Sequence, residues 1–143
     1  MSTIEIRTPV NLIITNDKEE VLLIRRASNK KLQPLMWSIP GGNLEEGETV
    51  EKGLIREIYE ELNVKIVNMK FWKSYYIKLF PTLHARPLYF YGKIRGNIKI
   101  NKESCDWGWF TYNKFKDIDL AFEQKPILED FYKFLKGIKI NKL

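Results

Sequence analysis

Cysteine and histidine each occur once in this chain of 143 residues, as Cys105 and His84. A single cysteine excludes an internal disulfide and suits a reducing cytoplasm, where the protein is expected to reside. Cys105 reads as an inert thiol, and His84 as a hydrogen-bonded structural residue rather than a catalyst. No apolar run approaches the ~20 residues that a helix needs to span a bilayer, so no membrane partner is expected. The N-terminus carries no signal-peptide pattern. Repeats, linkers and low-complexity stretches are also missing. What is present, 44% hydrophobic and 29% charged residues, is the composition of a soluble globular chain. At this length residues 1–143 are expected to form one domain with a real core.

Charge is unevenly distributed. The net charge is +6, yet residues 45–61 hold seven of the 18 acidic residues and only Lys52 and Arg56 as bases, leaving a balance of +11 elsewhere. An acidic pocket in a basic shell suits an anionic substrate delivered to bound cations. Nucleic-acid binding is a weaker reading, because the lysines are scattered apart from Lys133, Lys136, Lys139 and Lys142.

Glu57, Glu60 and Glu61 stand at i, i+3 and i+4. On a helix all three carboxylates leave one face, where they repel one another unless a divalent cation, most naturally Mg²⁺ or Mn²⁺, sits among them. Thr49 is a candidate N-cap, and Leu54, Ile55, Ile58 and Leu62 give this helix an apolar side. Trp37-Ser38-Ile39-Pro40-Gly41-Gly42 reads as a short strand running into a glycine turn, where backbone carbonyls can approach a metal.

The segment from Gly42 to Val64 resembles the signature of the Nudix hydrolases, G-x5-E-x7-R-E-U-x-E-E-x-G-U, where U is a bulky aliphatic residue. Glu48, Arg56-Glu57-Ile58, Glu60-Glu61 and Val64 all fall in register. Asn63 alone departs, standing where the signature has glycine. Asn readily adopts the left-handed conformation of a helix C-cap, so the turn is expected to survive. The resemblance implies a Mg²⁺-dependent hydrolase of phosphoanhydrides in nucleoside diphosphate derivatives. It assigns the Gly41 carbonyl, Glu48, Glu57, Glu60 and Glu61 to metal binding and Arg56 to orienting the glutamates. The general base is Glu57 or Glu103, the latter on the stretch before Trp107.

Residues 4–15 and 20–26 flank Asn16-Asp17-Lys18 as a β-hairpin. A loop, 27–36, follows. The motif helix spans about 49–62. Residues 64–80 and 87–95 read as strands with a turn near Pro81, 107–112 as another strand, and 125–136 as an amphipathic helix. A mixed β-sheet sandwiched between helices, an α/β/α arrangement of the α/β class, follows and agrees with the Nudix fold.

Substrate choice lies outside the motif. Arg25-Arg26 followed by the Trp37–Gly42 run looks like the MutT branch, which hydrolyses (d)NTPs, including oxidised ones, to NMP and pyrophosphate. That likeness implies phosphate contact by Arg26 and base contact by Gln124, whose amide offers donors and acceptors. Leu83 replaces an arginine of that branch. Trp72, Tyr76 and Phe80 would share one strand face, either stacking on a base or packing as core or dimer interface. An ADP-ribose or nucleoside diphosphate sugar pyrophosphatase is the alternative within the class, and a non-catalytic nucleotide- or RNA-binding module is the alternative outside it. Homodimers are common among similar proteins.

Overall fold

The run Val21–Arg26 contributes side chains to two separate cores. In the computed structural model, which describes the backbone of residues 3–141 and side chains up to residue 137, Leu22 and Ile24 pack on one side and Val21 and Leu23 on the other. Such a run suits a central strand covered on both faces.

The elements in chain order are β1 (Glu5–Arg7), β2 (Pro9–Ile14), β3 (Val21–Arg26), β4 (Trp37–Ser38), β5 (Gly41–Asn43), α1 (Val50–Leu62), β6 (Lys65–Ser74), β7 (Ile77–Phe80), β8 (Leu83–Ala85), β9 (Leu88–Arg95), β10 (Ser104–Phe110), α2 (Tyr112–Phe115) and α3 (Gln124–Asn141). The strands form sheets ordered β5-β2-β9-β6, β10-β3-β4 and β1-β8-β7. The first is mixed, since β2 runs parallel to β9 while β5 and β6 are antiparallel to their neighbours.

Helices cover the strands on two sides. Leu54, Ile58 and Leu62 of α1 are fully buried against Val10, Leu12, Ile14, Leu22, Ile24 and Phe90. On the opposite side Ile127, Leu128 and Phe131 of α3 close over Ile13, Val21, Leu23, Ile39 and Tyr89. The architecture is therefore the α/β/α sandwich expected.

Several local expectations change. Residues 4–15 and 20–26 do not form a hairpin. Only a single bridge, Thr15 to Val21, joins the two runs, and β2 and β3 enter different sheets, each buried between helices. The connecting turn is held by Asn16, whose side-chain oxygen accepts the N–H groups of Lys18 and Glu20, both at 3.0 Å. The first run also breaks at Thr8-Pro9, so β1 leaves to pair with β8. Residues 64–80 are two strands rather than one. β6 carries register shifts at Ile66/Asn68 and Phe71/Lys73, and the chain leaves the sheet at Tyr75-Tyr76 to start β7 elsewhere. The last strand begins at Ser104 and stops at Phe110; residues 111–112 instead open the short helix α2. Ile55 is exposed, because it falls outside the 54, 58, 62 stripe that faces the sheet. Lys133 and Lys136 are exposed on α3, whereas the side chain of Lys139 and all of Lys142 lie outside the described residues. No helix among the described residues is long and apolar enough to cross a membrane.

Candidate active site

Helix α1 begins where Thr49, extended in backbone conformation, accepts the Lys52 N–H on its side chain at 3.2 Å. It ends at Asn63, which adopts φ 58° and ψ 36° and donates its N–H to the Tyr59 carbonyl. The left-handed turn thus survives the replacement of glycine. The loop ahead of the helix folds back onto Gly53. A Cβ there would meet the Leu44 side chain at 2.2 Å and the Glu48 carboxylate at 3.1 Å, so glycine permits the approach.

Arg56 is the hub of the acidic cluster. Its Nε and Nη2 donate to the two oxygens of Glu48 at 2.6 and 2.8 Å, a bidentate pair. Nη1 donates to Glu57 at 3.0 Å and Glu60 at 3.2 Å, and Nη2 also reaches the Asn43 carbonyl at 3.1 Å. This pairing holds the Glu48 carboxyl down at about 2 and pushes the guanidinium further up.

Glu61 has a different environment. It is 7% exposed and forms no ion pair among the described residues. Burial, and then the adjacent Glu57 carboxylate, push its pKa well above the ordinary carboxylate range, while the Gly41 N–H pulls weakly the other way. Glu57 is raised as well, by burial, with Arg56 opposing. Its carboxylate lies over Gly42, where a Cβ would come within 2.4 Å of it.

Glu57, Glu61, Gly41 and Gly42 line a cavity of about 600 Å³. Arg26, Lys30, Lys31 and Glu103 line it too. Arg26 is held by its Nε on the Leu32 carbonyl at 2.9 Å, with its guanidinium 4.7 Å from the centre of the Phe122 ring. Burial lowers its pKa, and the charges of Glu61 and Glu103 offset part of that shift. Glu103 is 60% exposed and lies 4.0 Å from Lys30. Its position is fixed by Asn101, which accepts the Glu103 N–H and donates to the Glu60 carbonyl, both at 2.9 Å. Asn101 was not singled out from the sequence. A bare Asn in a polar loop carries no signal until the loop is seen against the end of α1.

The structure thus gathers Arg26, Gly41, Glu57, Glu61, Glu103 and Gln124 around one cavity. Glu48 and Glu60 sit beside it, on Arg56. Gln124 is buried rather than a surface cap, and its amide is engaged: Oε1 accepts the Ile39 N–H at 2.8 Å and Nε2 donates to the Tyr89 hydroxyl at 3.2 Å. Phe80 is exposed and does not line the cavity; Leu79 and Ile77 do. Trp72 packs on Phe131, Phe134 and Tyr75, and Tyr76 pairs with His84 Nδ1 at 2.5 Å. Trp72, Tyr76 and Phe80 do not lie along one strand: Trp72 is in β6 and half-buried, Phe80 is in β7 and exposed, and Tyr76 is exposed between the two. Cys105 is exposed and free.

Among the described residues no three acidic, His or Cys side chains stand together as a ready metal cage, and Arg56 takes up Glu48, Glu57 and Glu60. The donor set nevertheless fits a hard divalent cation. Glu57 and Glu61 are both raised by burial, Glu61 also by the charge of Glu57, all nearby donors are oxygens, and Glu61 has no cationic partner within ion-pair distance.

Comparison with known proteins agrees with this chemistry. The NUDIX domain family model matches residues 5–131. An RNA pyrophosphohydrolase of Ruthia magnifica subsp. Calyptogena magnifica is 29% identical, with 94% of this chain and 84% of that protein covered. The nucleoside triphosphatase NudI of Klebsiella pneumoniae is 31% identical, with 92% and 97% covered. The crystal structure of a MutT protein from Methanosarcina mazei Go1 superposes with a TM-score of 0.83 at 23% identity, covering 93% of this chain and 97% of that one. With the motif in register on α1 and the family model spanning most of the chain, this protein belongs to the NUDIX domain family of hydrolases, enzymes that generally use a divalent metal.

Proposed function

We propose that this protein is a Mg²⁺-dependent pyrophosphohydrolase that converts a nucleoside triphosphate, including an oxidised one, to the monophosphate and pyrophosphate. The observation that carries this reading is the cavity lined both by Glu57 and Glu61 and by Arg26, Lys30 and Lys31. A polyphosphate needs both: cations to hold its charge, and carboxylates to hold metal and move a proton. The likeness to a nucleoside triphosphatase over nearly the whole of both chains supports the substrate class.

Glu57, Glu61 and the Gly41 carbonyl would hold the cation, with Glu48 and Glu60 available beside them. When bound, Mg²⁺ supplies charge neutralisation on the phosphates and lowers the pKa of a water molecule. Arg56 positions the carboxylates through its fork of hydrogen bonds, so that their spacing does not depend on the ion. Arg26 and the two lysines bind the phosphate chain. Glu57 takes the proton of the attacking water, and Glu103, which lines the same cavity, is the second candidate for that step.

A panel of NTPs, dNTPs, 8-oxo-dGTP, ADP-ribose, sugar nucleotides and 5′-triphosphorylated RNA, assayed with Mg²⁺, Mn²⁺ or EDTA, tests the proposal. Metal-dependent release of pyrophosphate from a free triphosphate is the expected result. Preferential formation of AMP and ribose 5-phosphate from ADP-ribose overturns the substrate assignment. Turnover of no compound overturns catalysis.

A further inference from the structure

Phe122 is half-buried, yet it belongs to neither apolar core. Its ring lines the cavity, with the Arg26 guanidinium carbon 4.7 Å from the ring centre. Its backbone is left-handed, at φ 55°, and Glu123 follows at φ 57°. A bulky residue seldom adopts that conformation, because its Cβ crowds the next carbonyl oxygen. Gln33 at φ 47° and Leu35 at φ 64° share the feature. Four of the six non-glycine residues with positive φ among the described residues therefore fall in two short segments. Strain of this kind persists only where the surroundings over-determine it.

Here the surroundings are hydrogen bonds that join the two segments to each other and to Arg26. The Gln33 side-chain oxygen accepts the Phe122 N–H at 2.8 Å. One residue earlier, the Leu32 carbonyl accepts Arg26 Nε at 2.9 Å. The Arg26 backbone is fixed as well: its N–H donates to the Met36 carbonyl at 2.9 Å, and its carbonyl accepts the Leu35 N–H at 3.0 Å. Backbone, Nε and one face of the guanidinium are thus all held. Nη1 and Nη2 are different. They donate to no group among the described residues, and neither is buried without a partner, so both are open to solvent. A guanidinium whose plane is already fixed loses little further freedom when those nitrogens take a phosphate.

We propose that Phe122 is a positioning residue for phosphate binding: its ring holds the plane of Arg26, so that Nη1 and Nη2 meet the phosphate chain already ordered. The inference rests on the reading of Arg26 as a phosphate contact, but not on turnover. Phe122 acts through Arg26 alone, and the left-handed turn at 122–123, tied down by Gln33, is what brings its ring there.

The test is calorimetric binding of inorganic tripolyphosphate, which has no base to stack on a ring, to the metal-free full-length protein. Phe122→Leu keeps an apolar side chain without a π face and binds about three- to tenfold more weakly than wild type. Arg26→Ala binds about tenfold or more weakly. Adding Phe122→Leu to Arg26→Ala changes affinity by less than about twofold, since the ring then has no guanidinium to hold. Phe122→Tyr keeps the ring and stays within about twofold of wild type. An affinity that Phe122→Leu leaves unchanged overturns the proposal. So does a loss of the same size in Phe122→Tyr, a loss that persists in the Arg26→Ala background, or a wild type that binds no tripolyphosphate. A wild type with the stated coupling that turns over no compound leaves this inference standing and removes the catalytic reading. Turnover of a triphosphate together with additive effects of the two substitutions does the reverse.

Discussion

Glu48 and Glu61 belong to the same short motif but have opposite surroundings. Glu48 is clamped at both oxygens by Arg56 and ionises more easily than usual, to about 2. Glu61 is buried beside a second carboxylate, without a cation within ion-pair distance, and ionises with difficulty. Like residues thus divide into a scaffold and a site. The first has its counter-charge built into the chain, whereas the second has none within ion-pair distance among the described residues. Metal affinity should come from the part of the cluster that the protein itself leaves uncompensated.

That contrast can be broken by substitution. Glu57→Gln and Glu61→Gln should each lower kcat by about 10²–10⁴-fold with circular dichroism unchanged, and a kcat within a factor of two of wild type would remove the site. Ile58→Ala, which opens the core beneath the acidic face, should cost about 2–5 kcal/mol of stability by urea denaturation. Its effect on kcat should be small so long as the fold persists. Arg56→Lys sharpens the comparison from the scaffold side. A point charge cannot hold Glu48 bidentately, so the Mg²⁺ concentration for half-maximal activity should rise about 10–100-fold. Thr49→Ala removes the helix cap and should cost about 1 kcal/mol in the same denaturation assay. Asn63→Gly, which restores the residue of the family signature, should change stability by no more than about 0.5 kcal/mol, because the left-handed turn is already made.

The acidic helix was legible because its information is local. The period of Leu54, Ile58 and Leu62 defines the buried stripe, Thr49 and Asn63 mark its ends, and the spacing of the glutamates follows from helix geometry alone. The α/β/α layering was legible from alternating strand and helix patterns. What escaped the sequence depends on long-range pairing. Nothing near Tyr75-Tyr76 announces that the chain changes sheets there, and the missing hairpin between β2 and β3 is decided by β9 and β10, far along the chain. The same holds in the site: Gln124 looks like a free amide until Ile39 and Tyr89 are seen to occupy it.

The hydrogen bonds of Asn101 have a consequence for how this site can change over time. One side chain spans the Glu60 carbonyl and the Glu103 N–H, and nearby the Lys99 N–H is tied to the Leu62 carbonyl. The segment before β10 is therefore a ruler laid against the end of α1. Inserting one residue between 101 and 103 would shift the chain by up to about 3.8 Å, more than a hydrogen bond can follow. The loop at residues 27–36 is tied as well, by the Leu32 carbonyl on Arg26 and by Gln33, whose side-chain oxygen accepts the Phe122 N–H at 2.8 Å. Changes of length should therefore be purged from both segments, since each carries residues that line the cavity.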